Sequence, residues 1–145
     1  MKRPRLLVVD DAVNLTRFYK EELEDDGYRI DIANSTRSAA ELLDSNIYDV
    51  VIVEPMMMEF EEIKEFRQIV NHGIYTPVIV NTGNPESDCR WSFLGVEVCV
   101  IKSSDISSLK EKIEILLKPD GDGKAPGRLI GEMQSVPDIT LNGFW

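Results

Sequence analysis

The sequence predicts an α/β domain, a parallel sheet with helices on both faces. Three observations carry that prediction. Short apolar runs recur at Arg5–Val9, Val50–Val53 and Thr76–Asn81; the second is an unbroken β-branched run without polar alternation, as in a strand buried on both faces. Segments with apolar residues at helical spacing separate the runs. The two kinds alternate strictly, which gives right-handed β–α–β crossovers rather than hairpins. With 145 residues, the chain is one domain's worth and long enough to bury a core.

In order, Arg5–Val9 is a strand that ends in Asp10-Asp11. A helix is expected over Ala12–Asp26, with Leu15, Phe18, Tyr19 and Leu23 on one face and Gly27 as its stop. Arg29–Ala33 alternates Ile30 and Ile32 with polar neighbours, as a peripheral strand does. Asn34 or Ser35 caps a helix over Thr36–Asp44 that carries Ala39, Ala40, Leu42 and Leu43. The central strand Val50–Val53 stops at Glu54, because Pro55 cannot donate to a ladder and biases the preceding residue toward extended geometry. A helix over about Phe60–Val70 follows, broken by Asn71-His72-Gly73. Thr76–Asn81 is the fourth strand, ending in Thr82-Gly83. A weaker helix is expected over about Pro85–Leu94, and Val96–Ile101 is the fifth strand, ending at Lys102. Ser104 or Asp105 caps a last helix in which Leu109, Ile113 and Leu116 share a face.

Composition excludes several function classes. The net charge of −10 opposes nucleic-acid binding by this chain, since phosphate contacts need a basic surface; it favours basic partners or divalent cations. No apolar stretch approaches the length of a membrane span. Cys89 and Cys99 lie apart without CxxC spacing, and no signal-peptide core precedes the first strand, so a cytoplasmic protein with reduced thiols is expected. Phosphate-cradling glycine loops, nucleophile elbows and dinucleotide fingerprints are missing, which argues against a small enzyme or ligand-binding protein of this architecture.

In such a fold the carboxyl ends of all strands share one edge, where open α/β sheets bind ligands. Asp10, Asp11, Glu54, Thr82 and Lys102 each follow a core strand and are expected to converge there. Two like charges about 4 Å apart repel by roughly 4 kcal/mol at an effective dielectric near 20. Three carboxylates with one lysine therefore need a divalent cation or a retained proton. The oxygen-only donor set suits magnesium.

Four blocks together resemble the receiver domain of two-component response regulators, from about Pro4 to Leu117. They are Leu-Leu-Val-Val-Asp10-Asp11, Tyr48-Asp-Val-Val-Ile-Val-Glu54-Pro-Met-Met57, Pro77-Val-Ile-Val-Asn-Thr82-Gly83, and Leu94-Gly95 through Lys102. The resemblance implies a flavodoxin-like (CheY-like) three-layer sandwich with a five-stranded parallel sheet of order 2-1-3-4-5 and five helices. It implies magnesium held by Asp10, Asp11, Glu54 and the main-chain carbonyl of Met56, with Thr82 and Lys102 contacting a phosphoryl group. It also implies a signalling rather than an enzymatic role, and partners such as a sensor histidine kinase or an effector domain. A homodimer through the fourth and fifth helical segments is a further implication.

The departures from the family pattern set the functional expectation. Glu54 stands at the phosphoacceptor position in place of aspartate, and its extra methylene moves the carboxylate outward by about 1.3 Å. Positioning errors of about 1 Å can cost about a hundredfold in rate. Cys99 stands where the family carries a switch aromatic, Met58 replaces the usual proline of the acceptor loop, and Ser103 the proline after the lysine. A phosphorylation-independent receiver that works by partner binding is the resulting expectation, held in one state by Glu54 near Lys102, with magnesium weakened or absent if either fills the site. A conventional phosphate-accepting, magnesium-dependent receiver is the alternative.

The domain is expected to span residues 1–118, and 119–145 to form a glycine- and proline-rich linker or tail. Phe144 and Trp145 could dock on a partner, and Trp91 could lie in an interface. His72 in its turn reads as structural, and Met56, Met57 and Met58 as loop packing against the third helix.

Overall fold

The computed structural model describes residues 3–70, 76–83 and 98–118. The elements are β1 (Arg5–Val9), α1 (Val13–Asp25), β2 (Arg29–Ala33), α2 (Thr36–Ser45), β3 (Val50–Val53), a 3-10 turn at Pro55–Met57, α3 (Phe60–Val70), β4 (Val78–Thr82), β5 (Val98–Ile101) and α4 (Ser107–Leu117). All five strands are parallel, in the order β2-β1-β3-β4-β5. Among the described residues there are four helices; the segment expected as a helix at 85–94, the Asn71–Gly73 turn, Trp91, Cys89 and the 119–145 tail lie outside them.

Alternation along β1 divides the core. Leu7 and Val9 join Ala39 of α2 and Ile63, Phe66 and Val70 of α3 on one face. Leu6 and Val8 join Tyr19 and Leu23 of α1 and Leu109, Ile113 and Leu116 of α4 on the other. Neighbouring residues of a strand point to opposite faces, so one four-residue run serves both layers. Every residue of β3 is buried, as its unbroken apolar sequence requires. Phe66 is fully buried, and Phe66→Ala is expected to cost about 3–5 kcal/mol in urea unfolding, because the ring's burial is lost and a cavity remains.

Local signals agree with the structure at most boundaries. Gly27 has φ +97° just past α1, and its N–H bonds the Glu24 carbonyl at 2.9 Å, the left-handed stop that a residue with a Cβ adopts only with strain. Ser35 Oγ accepts from Ser38 N at 3.1 Å and caps α2.

Three expectations are corrected. Phe18 does not lie on the inner face of α1 but is 37% exposed; Thr16, Tyr19 and Leu23 are its buried residues. Spacings of three and four residues put these on one stripe, and Phe18, about 100° round from Tyr19, falls off it. β4 begins at Val78 rather than Thr76, since Pro77 cannot donate to the ladder. At α4 the N-cap position is Ile106, without a side-chain cap; Asp105 Oδ1 sits one residue earlier and still accepts from Ser107 N at 3.0 Å.

Candidate functional site

The sheet order places β1 beside β3, and the chain leaves them toward opposite sides. The crevice at their carboxyl ends is therefore a topological switch point. Asp10 follows β1 and Glu54 follows β3, each tied to its neighbouring strand: Asp10 N donates to the Ala33 carbonyl at 3.0 Å, and Glu54 N to the Val9 carbonyl at 2.9 Å. Both side chains are buried, Asp10 2% and Glu54 7% exposed.

The crevice is closed by one ammonium. Lys102 Nζ lies 2.8 Å from Asp10 Oδ2 and 2.8 Å from Glu54 Oε1. The second oxygen of each carboxylate is also engaged. Asp10 Oδ1 accepts from Ala12 N at 2.9 Å, and Glu54 Oε2 accepts from Met56 N at 3.1 Å. Glu54 thereby caps the 3-10 turn that Pro55 begins. Lys102 is positioned through its backbone, whose N–H donates to the Thr82 carbonyl at 2.7 Å. Burial pushes the Lys102 ammonium toward deprotonation, but hydrogen bonds to Asp10 and Glu54 outweigh it, and the pKa ends above its ordinary value.

Of the residues expected at this edge, Asp10, Glu54 and Lys102 meet directly. Asp11 is exposed beside them. Thr82 is fully buried at the end of β4, paired in register with Ile101. Met56 is exposed on the 3-10 turn. Cys99 is half-buried, paired with Val80, and packs against the α2–α3 side of the core.

A magnesium ion would need the space between Asp10 and Glu54, and the lysine ammonium stands there within contact of both. Among the described residues no group of three acidic, histidine or cysteine side chains is arranged to hold a metal. Asp10 and Glu54 are the carboxylates that would hold such an ion, and Lys102 Nζ engages one oxygen of each.

Tyr19 and Asn81 form a buried layer beneath the site that sequence reading did not single out. Asn81 Nδ2 donates to Tyr19 Oη at 2.8 Å, and both are nearly inaccessible. Burial raises the Tyr19 phenol above its ordinary value, with Asn81 and Lys102 opposing. Asn34 Nδ2 donates to the Asp10 carbonyl at 2.7 Å and steadies the β1 end. The available signal was a polar Asn81 closing an otherwise apolar run. Tyr19→Phe leaves the Asn81 amide without its buried acceptor and is expected to cost about 1–3 kcal/mol in thermal unfolding.

The family model for the response regulator receiver domain matches residues 6–114. The response regulator ArlR of Staphylococcus epidermidis is 31% identical over 142 residues, covering 95% of this chain and 64% of that protein. The regulatory protein AtoC of Escherichia coli is 32% identical over 107 residues, 72% of this chain and 23% of that protein. The chain spans between 52% and 64% of the length of the staphylococcal relatives it matches. Among solved structures, response regulator TrrA from Thermotoga maritima, in complex with Mg(2+)-BeF, superposes with a TM-score of 0.65 at 33% identity, over 79% of this chain and 99% of that one. Chemotaxis response regulator CheY4 of Vibrio cholerae, at 24% identity and TM-score 0.66, shares the fold. No helix among the described residues is long and apolar enough to cross a membrane.

Proposed function

Because this chain belongs to the response regulator receiver domain family, we propose that it is an atypical receiver held in a single signalling state by its own lysine, without phosphorylation. One observation carries the reading: Lys102 Nζ bridges Asp10 and Glu54 at 2.8 Å each. The ammonium supplies the positive charge that two buried carboxylates require, in the space a magnesium ion would need. Glu54, longer than aspartate by one methylene, reaches that ammonium while its other oxygen caps the following turn. Its nucleophilic oxygen is therefore engaged, and magnesium is dispensable.

The output is partner binding in the cytoplasm rather than turnover. The partners are a sensor histidine kinase or an effector domain. A homodimer through the 85–94 segment and α4 is part of the same proposal, as is a linker or tail role for 119–145. Asp11, Thr82 and Cys99 then hold the receiver positions without a phosphoryl group to contact.

Incubation with a small acyl phosphate donor and magnesium, followed by intact-mass measurement, tests the reading. No added phosphoryl mass is expected. Stable labelling of Glu54 would overturn it in favour of a conventional magnesium-dependent receiver, the alternative kept open by Asp10, Asp11, Thr82 and Lys102 at the expected strand ends.

A further inference from the structure

A cavity of about 900 Å³ opens at the amino-terminal edge of the sheet, the end away from Asp10 and Glu54, beside the last turns of α2 and α3. We propose that this cavity binds a small organic phosphate ester of nucleotide size, its anionic end on Arg3 and Arg29 and its apolar body against Leu43, Ile47 and Ile69.

Arg3, Arg5 and Arg29 all line the cavity. Arg5 and Arg29 are register partners on β1 and β2, so their side chains leave the same face of the sheet from backbones about 4.8 Å apart. In a chain of net charge −10, the three guanidiniums balance Asp44 and Asp49 of the lining and the neighbouring Asp31, so the negative charge of the rest of the chain is locally cancelled.

One of the three is already committed. Asp31 Oδ2 accepts from Arg5 Nη2 at 2.7 Å, from Arg5 Nε at 3.1 Å and from Tyr48 Oη at 2.6 Å. Arg5 also lies over the Tyr48 ring, 5.2 Å from its centroid. Arg5 is thus a fixed wall. Arg3 and Arg29 are exposed, and among the described residues neither forms an ion pair. The two acids in the lining leave them so: Asp49 Oδ2 accepts from the Arg5 backbone N–H at 2.7 Å, and Asp44 joins no ion pair among the described residues.

The Arg3 and Arg29 guanidinium forks match the oxygen geometry of a phosphate; Arg29 acts on Asp31 only at longer range, outside an ion pair. Leu43, Ile69 and Ile47, the last 69% exposed at the lip, supply apolar surface for a ring. The volume lies in the range of small-molecule sites. The site stands at the opposite end of the sheet from Lys102, so the proposal is independent of the signalling reading.

Titration of the full chain with adenosine monophosphate at physiological salt, followed by amide chemical shifts, tests it. Saturable binding that moves Arg5, Arg29, Asn46 and Ile47 is expected, with adenosine and inorganic phosphate each binding more weakly. Arg3→Gln and Arg29→Gln together should weaken adenosine monophosphate by about tenfold, the scale for two exposed charge contacts. The melting temperature should hold, and Arg17→Gln on the exposed side of α1 should change nothing. Absence of saturable binding, shifts confined to Asp10, Glu54 and Lys102, equal binding by the double variant, or inorganic phosphate binding as tightly as the ester would each overturn the assignment.

Discussion

Lys102→Met is expected to lower the unfolding free energy by about 3–5 kcal/mol at pH 7, the scale for removing one partner of a buried ion pair and leaving the other uncompensated. Here two charges are left. Asp10 and Glu54 are 2% and 7% exposed, and the ammonium is the cation that both contact at 2.8 Å. Methionine fills the space of the lysine stem, so lost packing contributes little and the electrostatic part is what urea unfolding reads. Lys102→Arg, which keeps the charge, should lose less.

Two conditions identify the cause. Lys102 has a pKa above its ordinary 10.5. A raised value means that the lysine's contribution is complete below the unfolded pKa and disappears as pH rises through the folded one. The gap between parent and Lys102→Met should therefore stay constant from pH 7 to about 10 and close only in stronger alkali. Millimolar magnesium should restore part of the variant's stability, because the vacated crevice then offers two carboxylates to a cation. The parent should be indifferent to magnesium. A Lys102→Met variant as stable as the parent would sink the idea that the ammonium holds the site together.

Glu54→Asp carries the second large expectation. The shorter side chain withdraws the carboxylate by about 1.3 Å. A contact of 2.8 Å to Lys102 Nζ cannot survive that withdrawal without movement of the backbone or the lysine. The variant should then accept a phosphoryl group from a small acyl phosphate in the presence of magnesium, at least about a hundredfold faster than the parent, the scale set by about 1 Å of misplacement at a reacting atom. Time-resolved intact mass measures it. If Glu54→Asp takes up nothing, the defect lies beyond the acceptor, and Cys99 in place of the family's aromatic is the next residue to exchange. If the parent labels as fast as the variant, the lysine bridge does not restrain Glu54.

The two experiments read different links in one chain of cause. Lys102→Met asks whether the bridge stabilises the fold; Glu54→Asp asks whether it blocks chemistry. Loss of stability in the first with no uptake in the second would make the bridge structural without being the reason for silence.

Much of the molecule was legible before any coordinates. The parallel sheet with helices on both faces follows from the strict alternation of apolar runs and amphipathic segments, whereas its order 2-1-3-4-5 is implied only by the resemblance to the receiver family and matches the sheet observed. Glu54 at a strand end follows from Pro55, which cannot continue the ladder. Phe18 looks like core from the sequence because it is an aromatic in a helix; the 100° step per residue, anchored by the burial of Thr16, puts it outside. The apolar run at Thr76–Asn81 is longer than β4, which begins at Val78, because Pro77 has no N–H to donate to the ladder.

By itself the sequence determined that three carboxylates, a threonine and a lysine would gather at one edge, since chain direction alone puts the carboxyl ends of parallel strands together. It could not determine which charge would neutralise which. That choice depends on side-chain reach to a few tenths of an ångström and on burial, both products of packing between strands far apart in the chain. Only the tertiary structure brings Lys102 between Asp10 and Glu54, leaves Asp11 in solvent, and seats Tyr19 against Asn81 beneath them. The same is true at the far edge, where strand register alone sets Arg5 beside Arg29. Local rules set the list of groups at each edge; the low dielectric and fixed distances of the folded interior decide which of them pair.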